Sequence, residues 1–366
     1  MNSKTGPIPF DLTSAEPPLV VAVGSGGVGK TTLAASMGLV SARAGIETLV
    51  MTFDPSLRLK DALGVDQTST DDEVEVPYAA GDEGARLFAS LLDARRTFDR
   101  LVARYAPDEE SRDRILGNSY YGHLAGNLGG ILEYMAVERL YEVAREGRYD
   151  RIILDTPPTA QAIEFLEAPS RVVSFLESGA LKIALRPWFD GRGRLKMASG
   201  MGFLGRGLES FLDRVVGLDL LRDMSEFFLA FEPLFEGFRS RALEVEKLLG
   251  SQKTLFVLVT GPGEGRVGDS LFFARRLREA GYRLGPVVVN RVHPTYAPAG
   301  EPGEGERLFA WLGERHQIGL AELRRRLPSD RVVALPLEAD EPTDLRSLEL
   351  LGTRLVARLK EAEAEL

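Results

Sequence analysis

The segment from Gly24 to Thr32 constrains the fold more than any other part of this chain, because it reads Gly-Ser-Gly-Gly-Val-Gly-Lys-Thr-Thr. It follows the apolar run Leu19–Val23 and opens an alanine-rich stretch of helical character. A glycine-rich loop that ends in Gly-Lys-Thr between a strand and a helix is the pattern of a phosphate-binding loop. The alternative is an ordinary glycine-rich turn, which the agreement of pattern and context disfavours.

This motif predicts a role for each residue of the loop. Lys30 would reach the β- and γ-phosphates of a nucleotide, and the Thr31 hydroxyl would ligate Mg²⁺. Backbone N–H groups and the helix N-terminus would attract the phosphate oxygens. The residues expected to bind the nucleotide in this way are Gly26, Gly27, Val28, Gly29, Lys30, Thr31 and Thr32.

Composition excludes several other chemistries. The 366 residues contain no cysteine, which rules out disulfides, thiolate zinc sites, iron–sulfur clusters and cysteine nucleophiles. The net charge of -9 argues against a general nucleic-acid binder, which needs clustered lysine and arginine. His123, His293 and His316 are too scattered to suggest a metal cage, so each is expected to have a surface or packing role.

Hydropathy predicts a soluble, cytoplasmic protein. The N-terminus lacks the apolar core of a signal peptide, and no run approaches the roughly 18 apolar residues of a membrane span.

Apolar runs alternate with helical patterns along the chain. Six runs are candidate strands: Leu19–Val23, Glu47–Thr52, Arg151–Asp155, Thr254–Thr260, Pro286–Asn290 and Arg331–Leu335. Most are continuously apolar, as expected when helices cover both faces of a parallel sheet. We therefore predict an α/β fold with a doubly wound, mostly parallel sheet that binds its ligand at the carboxyl ends of the strands.

Three segments depart from this alternation. Residues 1–18 carry four prolines and no periodicity, which predicts a flexible leader before one domain over 19–366. Helical insertions are expected at about 82–148, where Leu87 and Leu91 fit helical spacing, and at about 170–250. Within the second, residues 197–238 are dense in large apolar side chains, which form either an interaction surface or a buried core.

Three polar residues lie at the ends of predicted strands, at the edge of the sheet where the loop is expected. Asp54 is expected either to orient an attacking water or to cap a helix. Asp155 ends an apolar strand, as does the Mg²⁺-associated carboxylate of phosphate-loop NTPases, although a turn residue is the alternative. Asn290 would either read an adenine edge with its amide or form a turn.

Taken together, these motifs resemble the anion-transporting ATPase family, which comprises the arsenite-pump ATPase and the targeting factor for tail-anchored membrane proteins. The resemblance covers most of residues 19–357 and is greatest to the bacterial branch of the family. It implies that the loop is a deviant Walker A motif. It rests on the loop, Phe53–Ser56, Leu59, Asp61–Leu63, Glu133–Ala136, Leu140–Tyr141, Asp155–Thr159, Phe165–Leu166 and Val287–Arg291.

The resemblance implies a dimer that closes over two ATP molecules, with ATP or ADP and Mg²⁺ as cofactors. It implies that Asp54 positions the attacking water and that Asp155 holds Mg²⁺ through water. Asn290, with Pro336 and Leu337, would recognise adenine. The helical insertion would form an ATP-gated apolar surface for a client helix.

The sequence departs from the family pattern at three points. Ser25 stands where the family has a second lysine, which reaches across the dimer to the partner's nucleotide. Gly263 replaces a glutamate expected after Pro262, and Glu264 is its nearest substitute. The cysteines that bind zinc at the dimer interface and those that bind arsenite are missing, so we expect no zinc and set arsenite transport aside.

The sequence leaves two functions open. One is an ATP-hydrolysing dimeric switch, and the other is a weakly hydrolysing regulatory subunit that pairs with a lysine-bearing paralogue. The expected partners are therefore a second copy or a paralogue, together with an apolar helical client. No nucleic acid is expected, because a DNA-partitioning ATPase needs a basic face. Peripheral membrane contact stays open.

Overall fold

A computed structural model describes residues 10–53, 58–65, 73–78, 84–118, 121, 131–178, 218–296, 302–327 and 332–364. Eight strands in this part of the chain form one sheet: β1 (Leu19–Gly24), β2 (Thr48–Thr52), β3 (Val74–Glu75), β4 (Leu87–Leu91), β5 (Arg151–Asp155), β6 (Thr254–Thr260), β7 (Leu284–Val292) and β8 (Val332–Pro336). Their order is β3-β4-β2-β5-β1-β6-β7-β8. Neighbouring strands are parallel, except that β3 pairs with β4 antiparallel.

The helices of the same residues are α1 (Lys30–Arg43), α2 (Arg58–Leu63), α3 (Ala94–Tyr105), α4 (Glu109–Leu116), α5 (Ile131–Glu146), α6 (Thr159–Leu176), α7 (Leu218–Phe231), α8 (Phe235–Leu249), α9 (Glu264–Glu279), α10 (Glu304–Arg326) and α11 (Leu345–Ala364). None of these helices combines the length and the apolar character needed to cross a lipid bilayer.

The central strand β1 shows why this sequence forms a covered parallel sheet. Its consecutive residues Val20 and Val21 point to opposite faces, and both are fully buried. A strand buried on both faces needs the continuous apolar run seen here, whereas a half-exposed strand would alternate. The predicted α/β fold with a doubly wound, mostly parallel sheet is therefore confirmed.

The helical interpretation of Leu87 and Leu91 is wrong. Leu87 and Leu91 lie in β4, where all five residues are buried and pair in parallel with β2. Their spacing of four fits one helical face, but a short continuous apolar run is ambiguous between a strand and a helix. Pairing with β2 decides the outcome. The sequence also gave no sign of β3, which is only two residues long.

The chain divides into two compact units. The sheet unit comprises residues 1–92, 142–163 and 247–366, and the helical unit comprises 93–141 and 164–246. The insertion boundaries at 82–148 and 170–250 stay a prediction. The unit assignments refer to the described residues, and residues 197–217 of the apolar run lie outside them.

Aromatic side chains form the core of the helical unit. Phe231 stacks on Phe98 and Phe227 with ring centroids 5.6 and 5.3 Å away, and Phe238 lies 4.9 Å from it. Tyr134 stacks on Phe238 at 5.3 Å. All five side chains are buried, so Phe227, Phe231 and Phe238 of the predicted apolar run belong to a core.

Residues 10–18 are packed, although the sequence predicts a flexible leader there. Phe10 and Leu12 are buried in the main core of the sheet unit. The buried Arg151 guanidinium donates to the Leu12 carbonyl and the Ser41 hydroxyl, each at 2.8 Å, and to further carbonyls of this segment, including that of Ser14. Burial lowers the pKa of Arg151 to about 10. The prolines of this segment suggest flexibility. Its packing could not be predicted from the local sequence, because Arg151, which binds it, lies far along the chain.

Candidate functional site

The loop between β1 and α1 can be built only with glycine at Gly29. This residue precedes the helix with φ 89 and ψ 27, a left-handed conformation that favours glycine. A Cβ there would also lie 2.6 Å from Nδ2 of Asn290. Gly29 offers no side-chain cap, so the first N–H groups of α1 can donate hydrogen bonds to a ligand's oxygens.

Lys30 begins α1 and folds back over the loop. Its Nζ donates a hydrogen bond to the Ser25 carbonyl at 3.0 Å, and the residue is 7% exposed. A buried ammonium group at the uncapped N-terminus of a helix makes a positively charged site. Such a site suits the phosphates of a nucleotide.

Three side chains from three elements meet next to the loop. The hydroxyls of Thr31 and Thr52 donate to the same carboxylate oxygen of Asp155, Oδ2, at 2.7 and 3.0 Å. Asp155 is 1% exposed, and Thr52 lies directly opposite it in the parallel register of β2 and β5. Hydroxyl and carboxylate oxygens are the ligands that Mg²⁺ prefers. The donor set therefore fits a magnesium ion.

Thr52 was not among the predicted site residues. The sequence places Thr52 at the end of a predicted strand, next to the loop. That it lies beside Asp155 is known only from the register of β2 against β5.

The segment after Asp155 is held against the loop. Thr156 donates to the Ala22 carbonyl of β1 through its hydroxyl, at 2.8 Å, and through its backbone N–H, at 3.3 Å. Two residues later, the ring of Pro158 lies 3.6 Å from where a Cβ on Gly26 would stand. This proline therefore packs against the loop.

The remaining candidates around the loop have different outcomes. Asp54 lies outside the described residues, and its role stays a prediction. Ser25 is nearly buried, at 9% exposure. Gly263 caps the N-terminus of α9, and the adjacent Glu264 forms an ion pair with Arg315 of α10 at 3.2 Å.

A cavity of about 170 Å³ adjoins the other side of the loop. The structure brings the predicted Asn290, Pro336 and Leu337 together in its wall, with Thr32 of α1. The Asn290 amide donates to the Val28 carbonyl at 2.9 Å, which ties the cavity to the loop. The sequence did not point to the other lining residues, which are Arg291, Glu338, Asp340, Glu341, Pro342 and Leu351.

Two histidines lie beyond this cavity. The backbone N–H of His293 donates to Nδ1 of His316 at 3.0 Å, and their ring centroids are 5.0 Å apart. Burial, and secondarily the neighbouring His293, lower the pKa of His316. His316 therefore has a packing role, while His123 lies outside the described residues.

The sequence of this chain is similar to that of a known family and of several known proteins. The family described as anion-transporting ATPase matches residues 18–203. The chain is 34% identical to Protein Rv2184c of Mycobacterium tuberculosis over 45% of this chain and 40% of that protein. It is 29% identical to ATPase ARSA2 of Chlamydomonas reinhardtii over 56% of this chain and 54% of that protein. It is 28% identical to ATPase GET3B of Arabidopsis thaliana over 90% of this chain and 76% of that protein. The chain thus spans about half the length of the first two relatives.

Proposed function

The chain belongs to the anion-transporting ATPase family, and from this premise we propose that it binds ATP with Mg²⁺ and hydrolyses it to ADP and phosphate. The observation that carries the proposal is the 2.7 Å hydrogen bond between Asp155 and Thr31, the residue that follows Lys30 in the chain. It joins a cation for the phosphates to an oxygen donor set for the metal.

Each residue of the site has a distinct part in this proposal. Lys30 exchanges the Ser25 carbonyl for a phosphate oxygen when the nucleotide binds, and the N–H groups of the loop bind the other oxygens. Thr31 and Asp155 would hold Mg²⁺, Asp155 through water, and the bound ion supplies neutralising charge between the β- and γ-phosphates. Asp54 orients the attacking water.

The base of the nucleotide occupies the cavity beside Asn290. The amide of this residue, with Pro336 and Leu337, contacts adenine in this proposal. The Asn290 amide donates to the Val28 carbonyl of the loop and also lines the cavity, which supports a single ligand that reaches both places.

We further propose that the protein is a dimeric switch whose helical unit offers an apolar surface to a client helix or a partner. Phe175 and Leu229 of this unit are 45% and 39% exposed, and the Phe175 ring lies 6.1 Å from that of Phe228. Exposed large apolar side chains next to an aromatic core are a common feature of binding surfaces.

The nucleotide proposal is tested by titrating labelled ATP into the wild type and into Lys30→Ala, with phosphate release measured in parallel. We expect Lys30→Ala to lose most of the affinity and the activity. Lys253→Ala, which removes an exposed lysine of the same unit, is the matched control and should behave as the wild type. Equal ATP affinity in wild type and Lys30→Ala would contradict the proposal.

A second function is favoured by Ser25, which lacks the charge of the lysine found there in the family. A chain of this kind could bind ATP, hydrolyse it slowly and regulate a lysine-bearing paralogue. The two functions differ in one measurement, the phosphate release of the purified chain alone and after mixing with such a paralogue. Turnover that rises only in the mixture would favour the regulatory subunit.

A further inference from the structure

Arg291 adopts a backbone conformation that is unusual for its residue type. Its φ is 61, and among the described residues it is the one non-glycine residue with positive φ. It lies within β7, where the pairing with β8 shifts register between Val289 and Val292. A strained residue at a bulge in a sheet is a common device for redirecting a side chain toward a functional site.

The bulge directs two consecutive side chains to one place. In a regular strand, Asn290 and Arg291 would point to opposite faces of the sheet. Here both line the same cavity at the end of β7. The strained backbone of Arg291 therefore serves to bring its guanidinium to the cavity that Asn290 already faces.

The opposite wall of the cavity holds this guanidinium loosely. Nη2 of Arg291 lies 3.1 Å from Oε1 of Glu341, and the two side chains are 44% and 74% exposed. The backbone N–H of Leu337 donates to the Val292 carbonyl at 2.9 Å, which fixes the two walls at the base of the cavity. An exposed ion pair contributes little stability, so the guanidinium can shift to meet a ligand while Glu341 stays beside it.

The charge of the cavity indicates which part of a ligand Arg291 contacts. Its lining carries three carboxylates and one guanidinium, those of Glu338, Asp340, Glu341 and Arg291. Arg354 pairs with Glu338, so the excess of negative charge is small, but it disfavours a phosphate. A neutral aromatic base has no such penalty. The guanidinium is planar and weakly hydrated, and it stacks well on aromatic rings.

We propose that Arg291 stacks its guanidinium on the base of the bound nucleotide, while Glu341 holds the side chain over the cavity. This inference rests on the proposed function, because it takes ATP as the ligand of the loop. It adds that Arg291 raises the affinity for the base and leaves the affinity for the phosphates unchanged.

The test compares ATP with inorganic tripolyphosphate, which has the phosphates and lacks the base. Dissociation constants for both, with Mg²⁺, are measured for the wild type, Arg291→Gly, Arg291→Ala and Arg291→Lys. We expect Arg291→Gly and Arg291→Ala to weaken ATP binding roughly three- to thirtyfold, with tripolyphosphate binding unchanged. Arg291→Lys should lose part of the affinity, because it keeps the charge and loses the plane.

Arg291→Gly also separates binding from structure. Glycine adopts positive φ without strain, so the unliganded variant should unfold at the same temperature as the wild type or higher. A residue that only supported the fold would not combine unchanged stability with weaker ATP binding. Arg325→Ala, which removes an exposed arginine paired with Glu322 on α10, is the control.

Three outcomes would overturn the inference. If Arg291→Gly keeps the wild-type ATP affinity, or weakens ATP and tripolyphosphate equally, base stacking is wrong while the proposed function stands. If the wild type binds no ATP, both fail together. Binding of tripolyphosphate that depends on Lys30 but not on Arg291 is the pattern expected.

Discussion

The Thr31 hydroxyl of helix α1 donates a hydrogen bond to Oδ2 of Asp155, a residue 124 positions away at the end of β5. Thr52, at the end of β2, donates to the same oxygen. One carboxylate oxygen therefore joins the helix after the phosphate-binding loop to two strands of the sheet. Any ligand that takes over this oxygen releases both hydroxyls at once.

Asp155→Asn should lower Mg²⁺ affinity and phosphate release about 10- to 100-fold, the usual effect of removing a group that acts on a metal through an outer-shell contact. The reason is that an amide carries no charge to attract the hydrated ion. Magnesium titrations of ATP hydrolysis measure the shift. Thr52→Val is the control, because it removes one hydrogen bond and keeps the carboxylate. If both variants shift the titration equally, Asp155 does not act on the metal.

Asp54→Asn should leave ATP binding largely intact and lower hydrolysis by roughly 10²–10⁴-fold, because orienting the attacking water acts mainly in the transition state. Single-turnover phosphate release and equilibrium binding separate the two effects. Parental hydrolysis in this variant would show that another group positions the water.

The loop and the central strands could be predicted from sequence, because their signals are local. The run before Gly24 and the residues after it carry their own secondary-structure pattern, and so does the run that ends at Asp155. The strand Leu87–Leu91 could not be identified, since only its pairing with β2 distinguishes it from a helical face. The same holds for Arg291, whose part depends on a register shift between β7 and β8 that no local pattern encodes.

Ser25→Lys should raise the turnover of the dimer. A lysine at this position would place a cation from one protomer near the charge that grows on the partner's β-phosphate as the terminal bond breaks. We expect a gain well below the roughly 10³–10⁵-fold effect of an arginine finger, because Ser25 is nearly buried and its loop is shaped for a small residue. Phosphate release is measured at a concentration where dimerisation is established by light scattering. Unchanged turnover in a confirmed dimer would contradict a role in trans.

Glu138→Gln should destabilise the helical unit by about 3–5 kcal/mol, because it leaves a buried cation without its counter-ion. Nε of Arg241 donates to Oε2 of Glu138 at 2.6 Å, and the two side chains are 7% and 2% exposed. Urea denaturation measures the change in the free energy of unfolding.

The neighbouring ion pair between Arg239 and Glu177 provides the control for this prediction. It has a similar length, 3.0 Å, but its side chains are 39% and 56% exposed. Arg239→Met should therefore cost less than about 1 kcal/mol. Equal losses in the two variants would show that burial does not govern the Glu138 pair.

His316→Asn should reduce the loss of stability at acidic pH. The pKa of His316 is lowered in the folded protein from its ordinary value of 6.5, so the unfolded chain binds this proton more tightly. Stability contributed by the neutral ring is complete above 6.5 and is lost as the pH falls below it. Asparagine offers the His293 N–H an acceptor oxygen without titrating near this pH.

Urea denaturation of both proteins between about pH 7.5 and 5.5 measures the difference in slope. If the unfolding free energy of the wild type depends on pH no more steeply than that of His316→Asn, protonation of His316 does not destabilise the fold.

The contacts of Arg151 make residues 12–17 part of the folded sheet unit. The family match begins at residue 18, yet the guanidinium of this strand residue binds carbonyls of Leu12, Ser14 and Pro17, all of which precede that point. An expression clone trimmed to the homologous region would expose the surface under Phe10 and Leu12. It would also remove acceptors of the buried Arg151 guanidinium. The working N-terminal boundary for any shortened clone is therefore residue 10 or earlier.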